Sequence, residues 1–141
     1  MVVDKSFSYN RRERLSGSLV RKVILTGKSV YIKPYKIYWL YAPGTKLNFY
    51  PVRASVVIGK RIVPKAAKRN RIRRLIKEAY RINKLDLYSH ISSNYPSLQL
   101  LLVINFINRN INHKLININD VKLEIKKLIQ YFLSFLSKDH K

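Results

Sequence analysis

The spacing of hydrophobic and polar positions changes along the chain, and these changes predict where its helices and strands lie. Between residues 18 and 25 the apolar side chains recur three and four positions apart, as on one face of a helix, and Gly27 ends that pattern. The β-branched and aromatic stretch 30–41 predicts a strand, and Pro34 inside it indicates either an edge strand or two short strands that meet there. Residues 52–59 predict another strand after an intervening turn.

The rest of the chain predicts two longer helices that flank one buried strand. A proline opens the helix over 64–83, and the polar segment 84–96 is interpreted as a linker. Residues 98–107 are apolar almost throughout, which is typical of a strand buried on both faces. Asn119 can cap a last helix over 120–136, whose apolar positions share one face. The order α-β-β-(β)-α-β-α, in which the bracketed strand is the extra short one, predicts an α+β two-layer sandwich.

The composition adds a large positive charge to this fold. Lys and Arg total 29 against seven Asp and Glu, which gives the 141-residue chain a formal net charge of +22 at pH 7. With 47% hydrophobic residues, the chain is not a wholly disordered basic tail. Self-repulsion of this size is usually relieved by a polyanion, so RNA, DNA or an anionic membrane surface are the candidate partners. We expect a basic arm at 1–14, one polyanion-binding domain at 15–137 and a basic tail at 138–141.

The sequence offers little for chemistry performed by the protein itself. It holds no cysteine, and its seven acids are scattered, so neither a cysteine-based zinc site nor a carboxylate cage is expected. His90, His113 and His140 lack the spacing of metal ligands and are interpreted as surface residues. No apolar run is long enough to span a membrane, and residues 1–14 hold no secretory signal. We therefore expect a cytoplasmic protein with no catalytic residue and no metal of its own.

The predicted helix 64–83 carries the main functional signal. On a helical wheel, four apolar side chains from Ile72 to Ala79 cluster on one side, and basic residues occupy the opposite arc. Exposed helices usually limit repulsion with Glu–Lys pairs, but Glu78 is the only acid here, so an ordinary solvated face is disfavoured. We predict a polyphosphate-binding face, because guanidinium groups bind phosphate through two hydrogen bonds. The arc comprises Asn70, Arg73, Arg74, Lys77 and Arg81, with Arg69 at its edge.

The first predicted strand is crowded with aromatic side chains. Under a period of two, Tyr31, Tyr35, Trp39 and Tyr41 share one parity, and Tyr38 falls on the other. Since one face of the strand has to pack on the helices, most of these rings are interpreted as core. A tyrosine exposed on the other face could stack on an unpaired base.

Residues 66–81, AAKRNRIRRLIKEAYR, closely resemble the Arg-Asn-Arg signature of the bacterial ribonuclease P protein component. The surrounding pattern agrees with that family over nearly the whole chain. The further matching features are Arg14-Leu15 before a short helix, Gly27-Lys28-Ser29 after it, and Lys60-Arg61 just ahead of the signature.

The resemblance implies both a fold and a division of labour. The implied fold is an αβ sandwich with a left-handed βαβ crossover. The catalytic subunit is an RNA that uses Mg²⁺ to hydrolyse precursor tRNA and free the mature 5′ end, and the protein aids substrate binding and lowers the metal requirement. Mg²⁺ would be held mainly by the RNA, with none bound by this chain alone. The implied partners are ribonuclease P RNA and the 5′ leader of precursor tRNA, with no membrane and no DNA.

The resemblance also assigns site residues. A cleft between the first helix and the sheet would hold the single-stranded leader, with Val20, Ile24, Tyr35 and Tyr38 on its walls. The family usually has aromatic side chains at the positions of Val20 and Ile24, so stacking from the helix is lost here. Together with Arg81 of the basic arc, the residues implied to face the catalytic RNA are Lys60, Arg61, Lys68, Arg69, Asn70, Arg71, Arg73, Arg74 and Lys77.

Three other classes of protein share parts of this pattern. A ribosomal or other structural RNA-binding protein would have the same charge but would need no leader cleft. A DNA-binding regulator would need a helix-turn-helix, which one long basic helix between strands does not provide. A protein nuclease with its own metal cage is the least favoured, because the acids are not grouped.

Overall fold

The structure, a computed structural model that describes residues 9, 11–44, 50–108 and 117–139, contains one four-stranded sheet and four α-helices. The mixed α+β class predicted from the sequence is confirmed. A short 3-10 turn, Arg11–Glu13, precedes the first helix. The helices are α1 (Gly17–Thr26), α2 (Ala66–Asn83), α3 (Leu85–Asn94) and α4 (Ile118–Asp139), and the strands are β1 (Lys28–Ile32), β2 (Tyr35–Pro43), β3 (Val52–Ile58) and β4 (Leu98–Phe106).

The strands lie in the order β1-β2-β4-β3. β2 pairs with both β1 and β4 in antiparallel fashion, whereas β3 and β4 are parallel neighbours. Parallel strands need a crossover, and the connection from β3 to β4 runs through α2 and α3. The βαβ unit implied by the family resemblance is therefore present, and its left hand stays a prediction.

Both faces of β4 are buried, as its apolar sequence predicts. Leu100, Leu102 and Ile104 belong to the larger core, which the sheet shares with α2, α3 and α4. Leu101 and Val103 point to the other face and belong to a smaller core under α1. The sheet and the α2–α4 layer thus form the expected sandwich, and α1 covers part of the second face of the sheet.

The end of α1 depends on a close backbone approach. The helix ends at Gly27, as predicted, and the Gly27 amide donates a hydrogen bond to the Val23 carbonyl at 2.8 Å. A Cβ atom at Gly27 would lie against the carbonyl oxygens of Val23 and Trp39. Glycine at this position lets α1 pass directly into β1 beside β2.

The structure decides three local predictions: the strand or strands around Pro34, the segment 84–96, and the cap of α4. The stretch 30–41 is two strands, β1 and β2, which meet at a cis Lys33–Pro34 peptide, so the second of the two alternatives for Pro34 is confirmed. The segment 84–96 is not a linker, because most of it forms α3. The cap of α4 is Asn117 rather than Asn119, since the Asn117 Oδ1 accepts a hydrogen bond from the Asp120 amide at 3.0 Å.

A buried ion pair fixes the segment that precedes α1. Glu13 is fully buried in the 3-10 turn, and its carboxylate accepts hydrogen bonds from the Lys84 ammonium group and, at 2.6 Å, from the Tyr88 hydroxyl. Tyr9 packs edge-on against Tyr80 with ring centroids 5.5 Å apart. The last residues of the predicted basic arm are therefore part of the folded domain.

Breaking this ion pair should destabilise the fold strongly. Glu13→Leu leaves the Lys84 ammonium buried without its counter-ion, which costs about 3–5 kcal/mol in comparable sites. The double variant Glu13→Leu/Lys84→Met removes both charges and should recover most of that loss. Urea unfolding followed by circular dichroism measures the free energy of unfolding.

The matched control is Glu78→Gln, which breaks an exposed pair with Arg81 and should cost no more than about 1 kcal/mol. A Glu13→Leu variant as stable as this control would contradict the role given to the buried pair.

Candidate nucleic-acid interface

α2 presents a basic surface because its apolar side is occupied by the core. Ile72, Ile76 and Ala79 are buried, as the helical wheel predicts, and Tyr80 extends the buried side. The start of the helix is poorly stabilised, since Lys65 at the N-cap makes no side-chain hydrogen bond and the first turn holds no acid. Basic residues near the positive end of a helix dipole do not improve helix stability, so this part of the sequence serves another purpose.

The exposed arc of α2 is partly ordered by its own hydrogen bonds. The Arg73 guanidinium donates from Nη1 to the Asn70 Oδ1 at 2.8 Å, which fixes both side chains on the surface. Arg74, the residue after Arg73, is exposed. The Arg73 guanidinium and the Asn70 amide therefore lie side by side on the predicted arc.

Arg69, predicted at the edge of the arc, turns back toward the preceding loop. Its Nη1 donates to the carbonyl oxygens of Val63 and Pro64, each at 3.0 Å, and the side chain is half-buried. The exposed Lys60 and Arg61 lie in the same loop. Arg69 thus supports the loop that carries these two cations.

The single acid of α2 neutralises only one of its cations. Glu78 forms an ion pair with Arg81 at 2.5 Å, and hydrogen bonds from Arg81 hold the pKa of Glu78 below its usual range. Burial, and then the charges of Arg14 and Arg73, lower the pKa of Lys77. Like charges are therefore held close together on this surface, which is the arrangement that a polyanion relieves.

These side chains line an open groove of about 560 Å³ on the surface of α2. The groove brings residues of the predicted arc together with two residues that the sequence did not single out, Tyr9 and Ile118. Its lining comprises Tyr9, Arg71, Arg74, Leu75, Lys77, Glu78, Arg81 and Ile118.

A second surface lies between α1 and the sheet. Val20 and Ile24 are half-buried and pack with Tyr38 of β2 on the smaller core, so three of the four predicted cleft residues share this face. Tyr35 does not, and its assignment to the cleft is wrong. The Tyr35 side chain is 1% exposed on the opposite face, where its hydroxyl donates to Glu124 Oε1 at 2.8 Å.

An aromatic and basic group on the same face was missed in the sequence. The Lys36 ammonium group lies 4.8 Å from the centroid of the Tyr31 ring and 5.0 Å from that of Tyr38. Tyr31 is 62% exposed and pairs directly with Lys36 across β1 and β2, so these two side chains share a face. A single period of two over residues 30–41 treats them as one strand and therefore groups Tyr31 with Tyr35 and Trp39. The turn at Pro34 separates β1 from β2, so the alternation of faces does not continue across it, and Tyr31 lies on the same face as Lys36 and Tyr38.

Potential metal-ligating side chains are not clustered in the described part of the chain. Among them, no three His, Asp or Glu side chains are grouped so that they could hold a metal ion. Within the same part of the chain, no helix combines the length and the apolar character needed to cross a membrane.

Comparisons with known proteins agree with this geometry. A family model described as Ribonuclease P matches residues 10–113. The ribonuclease P protein component of Chlorobaculum tepidum is 27% identical over 134 residues, which cover 86% of this chain and 87% of that protein.

Two solved structures share the fold. The Staphylococcus aureus RNase P protein is 14% identical with a TM-score of 0.54, over 83% of this chain and 91% of its own. The RNase P protein from Thermotoga maritima is 18% identical with a TM-score of 0.54, over 84% of this chain and 96% of its own. Since the family model covers most of the sequence, the chain belongs to the ribonuclease P family, as a protein component of the bacterial type.

Proposed function

We propose that the chain binds the catalytic RNA of ribonuclease P through the exposed face of α2 and the 5′ leader of precursor tRNA between α1 and the sheet. In this arrangement the RNA-based endonuclease generates the mature tRNA 5′ end in the cytoplasm. The observation that carries the proposal is the charge of α2, where Glu78 is the only acid and is already paired with Arg81. The other cations on the arc, Arg73, Arg74 and Lys77 among them, have no second acid on α2 to neutralise them, which favours contact with phosphate groups.

The protein's contribution is binding rather than hydrolysis. Among the described residues, no three His, Asp or Glu side chains are grouped as a metal cage made by the protein alone would require. We infer that Mg²⁺ is held mainly by the RNA. Cations on α2 reduce the repulsion between two polyanions, the catalytic RNA and its substrate, so less Mg²⁺ is needed as a counter-ion.

The leader surface supplies stacking from the sheet rather than from the helix. Val20 and Ile24 offer only aliphatic contacts, whereas Tyr31 and Tyr38 lie on the same face with Lys36 between them. Unpaired bases stack on aromatic rings with little sequence preference, and a lysine beside the rings can contact the backbone. This combination suits a single-stranded leader of variable sequence.

Reconstitution tests the proposed function directly. The purified protein, added to a bacterial ribonuclease P RNA and a precursor tRNA at low Mg²⁺, should increase leader release by ~10-fold or more over the RNA alone, because protein cations replace Mg²⁺ as counter-ions. Arg74→Gln/Lys77→Gln should lose most of this stimulation.

The control for this assay is Lys126→Gln/Lys127→Gln, which removes two exposed charges from α4. It should keep the stimulation. Tight RNA binding without any stimulation would instead favour a structural RNA-binding protein.

Substitutions of Arg69 and Arg74 should have different effects, the first on the stability of the fold and the second on RNA binding. Arg69→Gln loses two hydrogen bonds to carbonyl groups and should reduce the free energy of unfolding by about 1–3 kcal/mol. Arg74→Gln should leave stability within about 0.5 kcal/mol of the original and weaken RNA binding. Urea unfolding and filter binding on both variants check the two effects, and equal urea midpoints would refute the loop-supporting role of Arg69.

Tyr31 should contribute to leader binding alone. Tyr31→Leu removes a stacking surface worth about 1–3 kcal/mol per base, so the affinity of the holoenzyme for precursor tRNA should fall roughly 5- to 150-fold. Affinity for mature tRNA, which has no leader, should not change. Tyr131→Leu, which alters a tyrosine of similar exposure on α4, is the control. If Tyr31→Leu reduced the affinity for precursor tRNA and for mature tRNA by the same factor, a contact between Tyr31 and the leader would be contradicted.

A further inference from the structure

A second basic cavity lies outside both surfaces described above. It has a volume of about 420 Å³. It lies between the 3-10 turn, Ser16 at the start of α1, and Arg53 near the start of β3. Three arginines contribute to its wall, and none of the described residues that line it is acidic. The lining residues are Arg11, Arg14, Leu15, Ser16 and Arg53.

The backbone around this cavity is held in place by two side chains of β3. The Arg53 guanidinium donates from Nε and Nη2 to the Arg14 carbonyl oxygen, at 3.2 and 2.8 Å. The Leu15 amide donates to the Ser55 hydroxyl at 3.0 Å, and Leu15 itself is buried. The backbone that carries Arg14 is therefore fixed to β3 by hydrogen bonds.

The one acid in this turn is directed away from the cavity. Glu13 lies between Arg12 and Arg14 in sequence, but its carboxylate is fully buried against Lys84. It does not line the cavity, so no acid of the described residues faces the arginines there. Holding arginines together without an acid is costly for the free protein and favours an anionic ligand.

The cavity also joins the two proposed RNA surfaces. Arg14 lies close enough to Lys77 of α2 for its charge to lower the pKa of that lysine. On the other side, Ser16 is the N-cap of α1, and Arg53 follows the buried Val52 on β3. The first amides of α1 add a partial positive charge at this end, which suits phosphate.

We propose that the cavity formed by Arg11, Arg14 and Arg53 is a phosphate-binding site for an RNA backbone, placed where the α2 surface meets the α1 cleft. Guanidinium groups bind a phosphodiester through paired, charge-assisted hydrogen bonds, and three of them around one cavity make a specific site for it. The proposal rests on the proposed function only in that the phosphate belongs to the catalytic RNA or to the leader.

The test is the salt dependence of binding by the full-length chain. Arg11→Gln/Arg53→Gln should weaken binding to ribonuclease P RNA roughly tenfold and reduce the slope of log affinity against log KCl concentration by about 0.7–0.9, the value expected for one lost phosphate contact. Lys126→Gln/Lys127→Gln removes the same charge from α4 and should change the slope by much less.

A second arm identifies which RNA supplies the phosphate. If the loss is seen with ribonuclease P RNA alone, the phosphate belongs to the catalytic RNA. If it is seen only when the holoenzyme binds precursor tRNA, and not mature tRNA, the phosphate belongs to the leader. Either result supports the site.

The site is overturned if the double variant matches the α4 control in both arms while the unaltered protein binds RNA normally. Failure of the unaltered protein to bind RNA would instead refute the proposed function, so the two failures are distinct. Because Arg53 also holds the Arg14 carbonyl, Arg11→Gln alone, an exposed substitution, and Arg53→Lys, which keeps the charge, separate a folding defect from lost phosphate binding.

Discussion

The basic surface of this protein depends on the buried ion pair between Glu13 and Lys84. Removing two charges from water is costly, and the pair is tolerated because the carboxylate also accepts a hydrogen bond from Tyr88. Its position matters more than its net energy. Glu13 sits in an arginine-rich turn, and Lys84 sits at the junction of α2 and α3, so the pair fixes Arg11 and Arg14 beside the basic helix.

Within the described residues, three acids hydrogen-bond to groups away from the proposed RNA surfaces. Glu13 is buried and pairs with Lys84. Glu124 accepts a hydrogen bond from the Tyr35 hydroxyl, and Asp120 accepts one from the side chain of Asn117, which caps α4. Glu78 is the exception on α2, and it is paired within its own helix. The net charge of +22 favours binding of a polyanion, at some expense in the stability of the free protein.

The sequence was informative where one physical rule dominates. The period of α2 predicted its buried side and its basic arc, because a helix that packs on a sheet must turn its charges outward. Prediction was wrong where tertiary packing overrides local composition. The polar segment 84–96 forms α3 because Leu87 and Ile91, four residues apart, are buried in the core. Tyr35 was misplaced because assignment to a cleft by resemblance ignored the alternation of β2, on which Tyr35 and Tyr38 face opposite sides.

β3 connects the two proposed RNA surfaces physically. Ala54 and Val56 are buried in the core that supports α2, while Arg53 and Ser55 hold the turn before α1. Alternate residues of β3 point to opposite faces of the sheet, so a rotation of the strand would move both sets of side chains, and the buried Ala54 and Val56 resist it. The α2 surface and the α1 cleft are therefore kept at a fixed separation by one element. A rigid spacing of this kind is what a protein needs if it is to position a leader relative to a separate catalytic RNA, since misplacement by about 1 Å can cost orders of magnitude in rate.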